Sequence, residues 1–189
     1  MVATEIERLS DIEVNITFDD GNDTDLRVAL PRLLANGRRA KFFVCAGRMD
    51  RPGYLERAQL RELAAAGMTI GCHGYDHLSW PNADDDQLQH ELQDAKRSIE
   101  DIVGRSVNVA SAPFGALDRR AVRAVAQAGF TCLYSSSGGF ATGTTGLIPR
   151  NTLTAGFTPE IDLARMAAAS NQAWAAVYDT ARRVKYGFY

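Results

Sequence analysis

The chain has 189 residues, with 21 Lys+Arg against 23 Asp+Glu and a net charge of −2, a length that suits a single domain spanning 1–189. Hydrophobic residues make up 46% and charged residues 23%, which excludes disordered and collagen-like chains. The charge balance lacks the basic footprint that nucleic-acid binders use to neutralise phosphates. No apolar run approaches the ~20 residues needed to span a bilayer. The first twenty residues carry Glu5, Glu7, Asp11 and Glu13 without the apolar stretch of a signal peptide. Cys45, Cys72 and Cys132 are odd in number and form no CxxC pair. Reduced thiols and a cytoplasmic location are therefore expected.

The elements alternate along the chain. Ile12–Thr17 reads as a strand and Asp23–Asn36 as a helix stopped by Gly37, in which Pro31 either starts the regular part or kinks it. Ala40–Ala46 is apolar enough for a buried strand. A short helix, Ala58–Ala66, precedes the strand Met68–Cys72. Within Asp84–Val103, Leu88, Leu92, Ala95, Ile99 and Ile102 recur in steps of four and three, one apolar stripe of a helix. Asp84, Asp85 and Asp86 at its start suit capping and the helix dipole better than metal binding. Val107–Ala112, a helix over Asp118–Ala128, Phe130–Ser135, a Gly/Ser/Thr loop over Ser136–Gly146 and the strand Leu147–Leu153 follow. A helix over Pro159–Val184, capped by Thr158, closes the chain and is expected to pack on the barrel. This order implies a mostly parallel sheet with right-handed crossovers. A complete eightfold barrel needs about 250 residues, so an α/β fold with a distorted, trimmed (β/α) barrel of fewer than eight strands is expected. Its chemistry would sit at the C-terminal strand ends.

Two clusters fall at such ends. In Thr17-Phe18-Asp19-Asp20-Gly21, adjacent carboxylates need a cation or a shared proton, although Asp and Gly also make ordinary turns. In His73-Gly74-Tyr75-Asp76-His77, two imidazoles four residues apart can converge on one ion. Two His and a carboxylate with an open position make a metal-hydrolase arrangement. His90, off the apolar stripe of its helix, reads as a solvated surface residue.

These residues resemble the polysaccharide deacetylases of carbohydrate esterase family 4, the NodB-homology domain. The first family motif reads TFDDG at Thr17–Gly21, the second HGYDH at His73–His77, and the third Ala112-Pro113-Phe114-Gly115. AKFFVCAGR and LRELAAAGMTIGCHGYDH also look like the family, and the likeness covers about residues 12–155. It implies a NodB-like trimmed barrel in which Asp20, His73 and His77 bind one divalent metal, zinc by preference, with Co, Ni or Mn as alternatives. Asp19 would be the general base, and Pro113 and Phe114 would line the substrate side, with the Phe114 N–H holding the oxyanion. A metal brings the pKa of its water toward ~7, within reach of a carboxylate base.

Two positions depart from the pattern. Ser111 stands where many members carry an Arg that pairs with the base Asp. Ile148-Pro149-Arg150 stands at the family's Leu-x-His, whose His protonates the leaving amine, and no histidine follows His90. An arginine cannot donate that proton, since its pKa stays above about 12, but it can orient a carboxylate. Arg150 is therefore the candidate partner of Asp19, with an exposed solubilising Arg as the alternative. The resemblance implies a hydrolase removing an acetyl or other acyl group from an amino sugar or other sugar-containing substrate, in surface polysaccharide or glycan-precursor metabolism. The rival is a non-catalytic domain that keeps the metal and binds glycan or a partner. The sugar, the acyl group, N- versus O-deacetylation and the oligomeric state stay open.

Overall fold

Short apolar segments separated by amphipathic helices leave the chain one economical solution, a parallel sheet whose crossovers carry the helices. The computed structural model describes residues 15–139 and 146–153, with positions 156, 158, 161–162 and 185–186. Strands β1 (Ile16–Phe18), β2 (Ala40–Val44), β3 (Thr69–Cys72), β4 (Val109–Ser111), β5 (Cys132–Ser135) and β6 (Gly146–Pro149) form one parallel sheet in chain order. Helices α1 (Leu30–Ala35), α2 (Arg57–Ala65), α3 (Asp85–Gln89), α4 (Ala95–Val103) and α5 (Arg119–Gln127) occupy the crossovers. The six strands curl into a half-barrel, the trimmed α/β barrel expected from the sequence.

Strand alternation divides the interior. Phe42 and Val44 of β2 join the larger core with Leu60, Leu63, Leu92 and Ile99 from the helices. Phe43, between them in sequence, packs with Cys132, Tyr134, Val109 and Ile148 in a second cluster on the other face. Gly71 of β3 lies opposite Phe43, and a Cβ there would sit 2.4 Å from that ring. The missing side chain is what lets the Phe43 ring lie flat against the strand.

The helix ends behave as read. Asp84 accepts the Gln87 N–H at 2.8 Å in a reciprocal capping box, and Asp85 and Asp86 fill the first turn of α3. Asp118 caps α5 through the Ala121 N–H at 2.7 Å. Pro31 lies in the first turn of α1 but not at a free helix start, because helical backbone runs into it from the π-helical stretch Asp25–Ala29. Four expected elements need correction. Helix 84–103 is not regular throughout, because a π-helical stretch, His90–Asp94, separates α3 from α4. A second one, Asp25–Ala29, precedes α1. A wider turn keeps the apolar residues inward on both sides, so spacing alone does not expose it. Strand β2 also ends before Cys45, and β6 ends at Pro149.

The expected helix over Pro159–Val184 lies almost wholly outside the described residues, which include the helical Ile161 and Asp162. Tyr186 packs on the core, and the Lys185 carbonyl accepts the Arg119 Nε–H at 2.8 Å. Among the described residues no helix is long and apolar enough to cross a membrane. All three cysteines are buried and none forms a disulfide.

Because Gly71 makes the room for Phe43, Gly71→Ala should destabilise the fold by about 1–3 kcal/mol through overpacking. Urea unfolding measures this, and an unchanged midpoint would contradict the packing account.

Candidate active site

In a parallel sheet the strand ends all point one way, so residues far apart in sequence meet there. Asp19 and Asp20 follow β1, Cys45 follows β2, His73 follows β3, Ser111 ends β4 and Arg150 follows β6. Asp20, His77 and Phe114 adopt φ of 78°, 64° and 59°. Positive φ in residues with a Cβ costs about 1–3 kcal/mol each and tends to gather at functional sites.

Asp19 and Arg150 form a two-pronged ion pair: Nη1 donates to Oδ1 and Nη2 to Oδ2, both at 2.7 Å. The guanidinium also donates to Thr17 Oγ1 at 3.0 Å and to Ser111 Oγ at 2.7 Å. Ser111 Oγ in turn donates to Asp19 Oδ2 at 3.2 Å. Arg150 lies over the Phe43 and Tyr134 rings, 5.4 and 5.9 Å from their centroids. Burial pushes the Asp19 carboxyl up, but the Arg150 hydrogen bonds and charge, with His73 and Ser111, outweigh it and hold it below its ordinary value. Asp19 is thus a fixed carboxylate with both oxygens oriented.

The histidines lie beside it. His73 Nδ1 is 2.8 Å from the Ser111 carbonyl, an acceptor, so Nδ1 carries the proton and Nε2 keeps its lone pair. That Nε2 lies 3.8 Å from Asp19 Oδ2. His77 Nε2 lies 3.3 Å from Asp20 Oδ1, and the two imidazoles meet edge to face at 4.9 Å. Burial holds both imidazoles below their ordinary pKa, as do like charges around His77. Imidazole nitrogens beside a carboxylate are donor types that a divalent ion such as zinc takes, but among the described residues the donors lying within 4.8 Å of one another include Asp20 and His77 and not His73.

Cys45 adds something the sequence reading did not include. One oxygen of Asp20, Cys45 Sγ and one nitrogen of His77 all lie within 4.8 Å of one another. The thiol donates to the His73 carbonyl at 3.4 Å, and burial pushes its pKa up. Arg48 was also missed. It donates to Asp20 Oδ1 at 2.7 Å from the turn after β2 and orients that carboxylate. Pro113 is buried, whereas Phe114 is 71% exposed with its ring 4.6 Å from that of His77. His90 is not simply solvated: its Nδ1 lies 2.9 Å from Asp94, and its ring lies 4.1 Å from Tyr75.

Glu91 was missed as well. It has no exposed surface, and its carboxylate accepts the N–H groups of Asp76 at 2.6 Å and Leu78 at 3.2 Å. Burial pushes its pKa up against those hydrogen bonds. A signal was present, since Glu91 stands three residues after Leu88 and four before Ala95, a charge within the apolar stripe.

A profile of the family described as Polysaccharide deacetylase matches residues 7–133. YxkH of Bacillus subtilis, whose name assigns it provisionally to the polysaccharide deacetylases, is 27% identical over 130 residues, 69% of this chain and 47% of that protein. The peptidoglycan-N-acetylglucosamine deacetylase of Bacillus cereus is 34% identical over 88 residues, 46% of this chain and 39% of that one. The chain thus spans less than half the length of these curated relatives. The Streptococcus pyogenes deacetylase PplD, solved with acetate, superposes with a TM-score of 0.75 at 21% identity, over 86% of this chain and 77% of that one. IcaB from Ammonifex degensii gives 0.70 at 19%, over 89% and 88%. These likenesses show a shared fold, the family's deacetylases are generally metal-dependent, and the match over residues 7–133 settles the family: the chain belongs to the polysaccharide deacetylases.

Proposed function

We propose that this chain is a metal-dependent hydrolase that removes an acetyl group from an amino sugar or another sugar-containing substrate, in surface polysaccharide or glycan-precursor metabolism. The observation that carries the reading is Asp19 gripped at 2.7 Å on both oxygens by Arg150, beside Asp20, His73 and His77. Family membership supports the reaction class. The three unbridged cysteines suit a reducing compartment such as the cytoplasm.

Asp20, His73 and His77 would hold one divalent ion, zinc by preference, through one oxygen and two Nε2 atoms. When bound, the ion supplies Lewis acidity toward a water and a carbonyl. Asp19 accepts the proton of the attacking water at its carboxylate. Arg150 keeps that carboxylate ionised and aimed, taking the place of the arginine that Ser111 replaces. The Phe114 N–H donates to the developing oxyanion, and the exposed Phe114 ring offers a wall for the sugar. No histidine stands to protonate the leaving group, so Asp19 passes on to it the proton taken from the water, a weaker arrangement that favours O-acyl substrates, whose alkoxide leaves more readily than an amine.

Three outcomes are expected. The wild-type chain should bind one equivalent of zinc or cobalt, and Asp20→Ala or His77→Ala should remove stoichiometric binding by elemental analysis; variants that bind as the wild type does would refute the ligand set. Asp19→Asn should keep the metal and lose about 10²–10⁴-fold in acetate release from acetylated amino sugars or an aryl acetate, and a fully active variant would give the water another base. Arg150→Ala should leave metal content unchanged yet lower kcat by about 10²-fold, because the carboxylate loses its orientation. Unchanged turnover would reduce Arg150 to a structural residue.

A further inference from the structure

The loop that carries His77 makes unusual demands on its surroundings. Gly74 and His77 both have positive φ, 89° and 64°, so this backbone follows neither strand nor helix. Its N–H groups at Asp76 and Leu78, flanking His77, find their acceptors in the two carboxylate oxygens of Glu91. Glu91 comes from the π-helical stretch His90–Asp94, 13 residues beyond Leu78, and is fully buried. Its Oε2 also lies against Gly74, where an added Cβ would come within 2.2 Å of it. One carboxylate therefore touches the loop at residues 74, 76 and 78. A buried carboxylate is costly unless it is fully hydrogen-bonded. An apolar side chain would satisfy this position on the apolar stripe of its helix, but it would leave two backbone donors without partners.

We propose that Glu91 is a positioning residue for the candidate metal site: its buried carboxylate clamps the backbone on either side of His77 and so holds that imidazole where Asp20 can share an ion with it. The proposal rests on the reading of Asp20, His73 and His77 as metal ligands. A glutamine of the same size keeps one acceptor and sets an NH2 donor against the other N–H, so it loosens one side of the clamp without opening a cavity.

The test compares wild type, Glu91→Gln and Ile99→Ala, the last a buried apolar truncation in α4, eight residues beyond Glu91. Cobalt affinity is titrated by visible absorption on folded protein, and amide hydrogen exchange of Asp76 and Leu78 is followed in the metal-free state. Glu91→Gln should weaken cobalt binding at least tenfold and speed exchange of both amides, whereas Ile99→Ala should leave cobalt affinity unchanged. Equal cobalt affinity and unchanged exchange in Glu91→Gln would overturn the proposal, as would an Ile99→Ala loss of affinity equal to that of Glu91→Gln. A wild type without cobalt affinity would refute the ligand reading instead, and exchange of the two amides would then decide the clamp. Should Glu91→Gln fail to fold, Gly74→Ala displaces the same carboxylate from the opposite side. The same tenfold loss is then expected, and wild-type affinity would overturn the proposal.

Discussion

The ion pair between Asp19 and Arg150 is the contact on which the site depends, because it joins residues at the two ends of the sheet. In a flat sheet, five strand spacings of ~4.8 Å would separate β1 from β6 by roughly 24 Å. The charged atoms instead meet at 2.7 Å, and the same guanidinium reaches Thr17 on β1 at 3.0 Å. The curl of the half-barrel makes that contact possible, and the contact in turn ties β1 to β6 at the C-terminal strand ends. Phe43 and Tyr134 form the floor under the guanidinium, and the absence of a side chain at Gly71 gives the Phe43 ring its room. Packing below the sheet and charge above it thus meet in one residue.

The adjacent carboxylates divide their labour through different partners. Asp19 is tied to Arg150 and Ser111, which favours its ionised form, while Asp20 turns to Arg48 and His77. A left-handed φ of 78° at Asp20 sends two consecutive side chains to these separate tasks. The hydrogen bond between His73 Nδ1 and the Ser111 carbonyl fixes one imidazole from behind, so β4 supports both the histidine and, through its hydroxyl, the aspartate. Ser111, which departs from the family pattern, thereby keeps a place in the network beside the arginine that reaches across from β6.

Much of this was legible in the sequence. Short apolar segments, glycine stops and the apolar stripe of 84–103 located the strands and most helices, and the motifs at Thr17–Gly21, His73–His77 and Ala112–Gly115 pointed to the family that the profile match establishes. Arg150 could be singled out because one expected arginine was missing and another charge had appeared. What escaped was set by tertiary contact. Arg48 and Cys45 look ordinary in sequence and matter only because the turn after β2 faces β1 and β3. Glu91 was visible as a charge on an apolar stripe, but its partners are main-chain donors, which leave no mark in side-chain spacing. The π-helical stretch His90–Asp94 escaped because both of its flanks keep the apolar face inward.

The most direct test of the account is a crystal structure of the zinc-loaded protein with anomalous scattering measured at the zinc edge. One strong peak is predicted, about 2.0–2.2 Å from a carboxylate oxygen of Asp20 and from the Nε2 atoms of His73 and His77, with the Asp19–Arg150 pair intact. A site with no peak, or a peak bound by Asp20, Cys45 and His77 with His73 turned away, would contradict it.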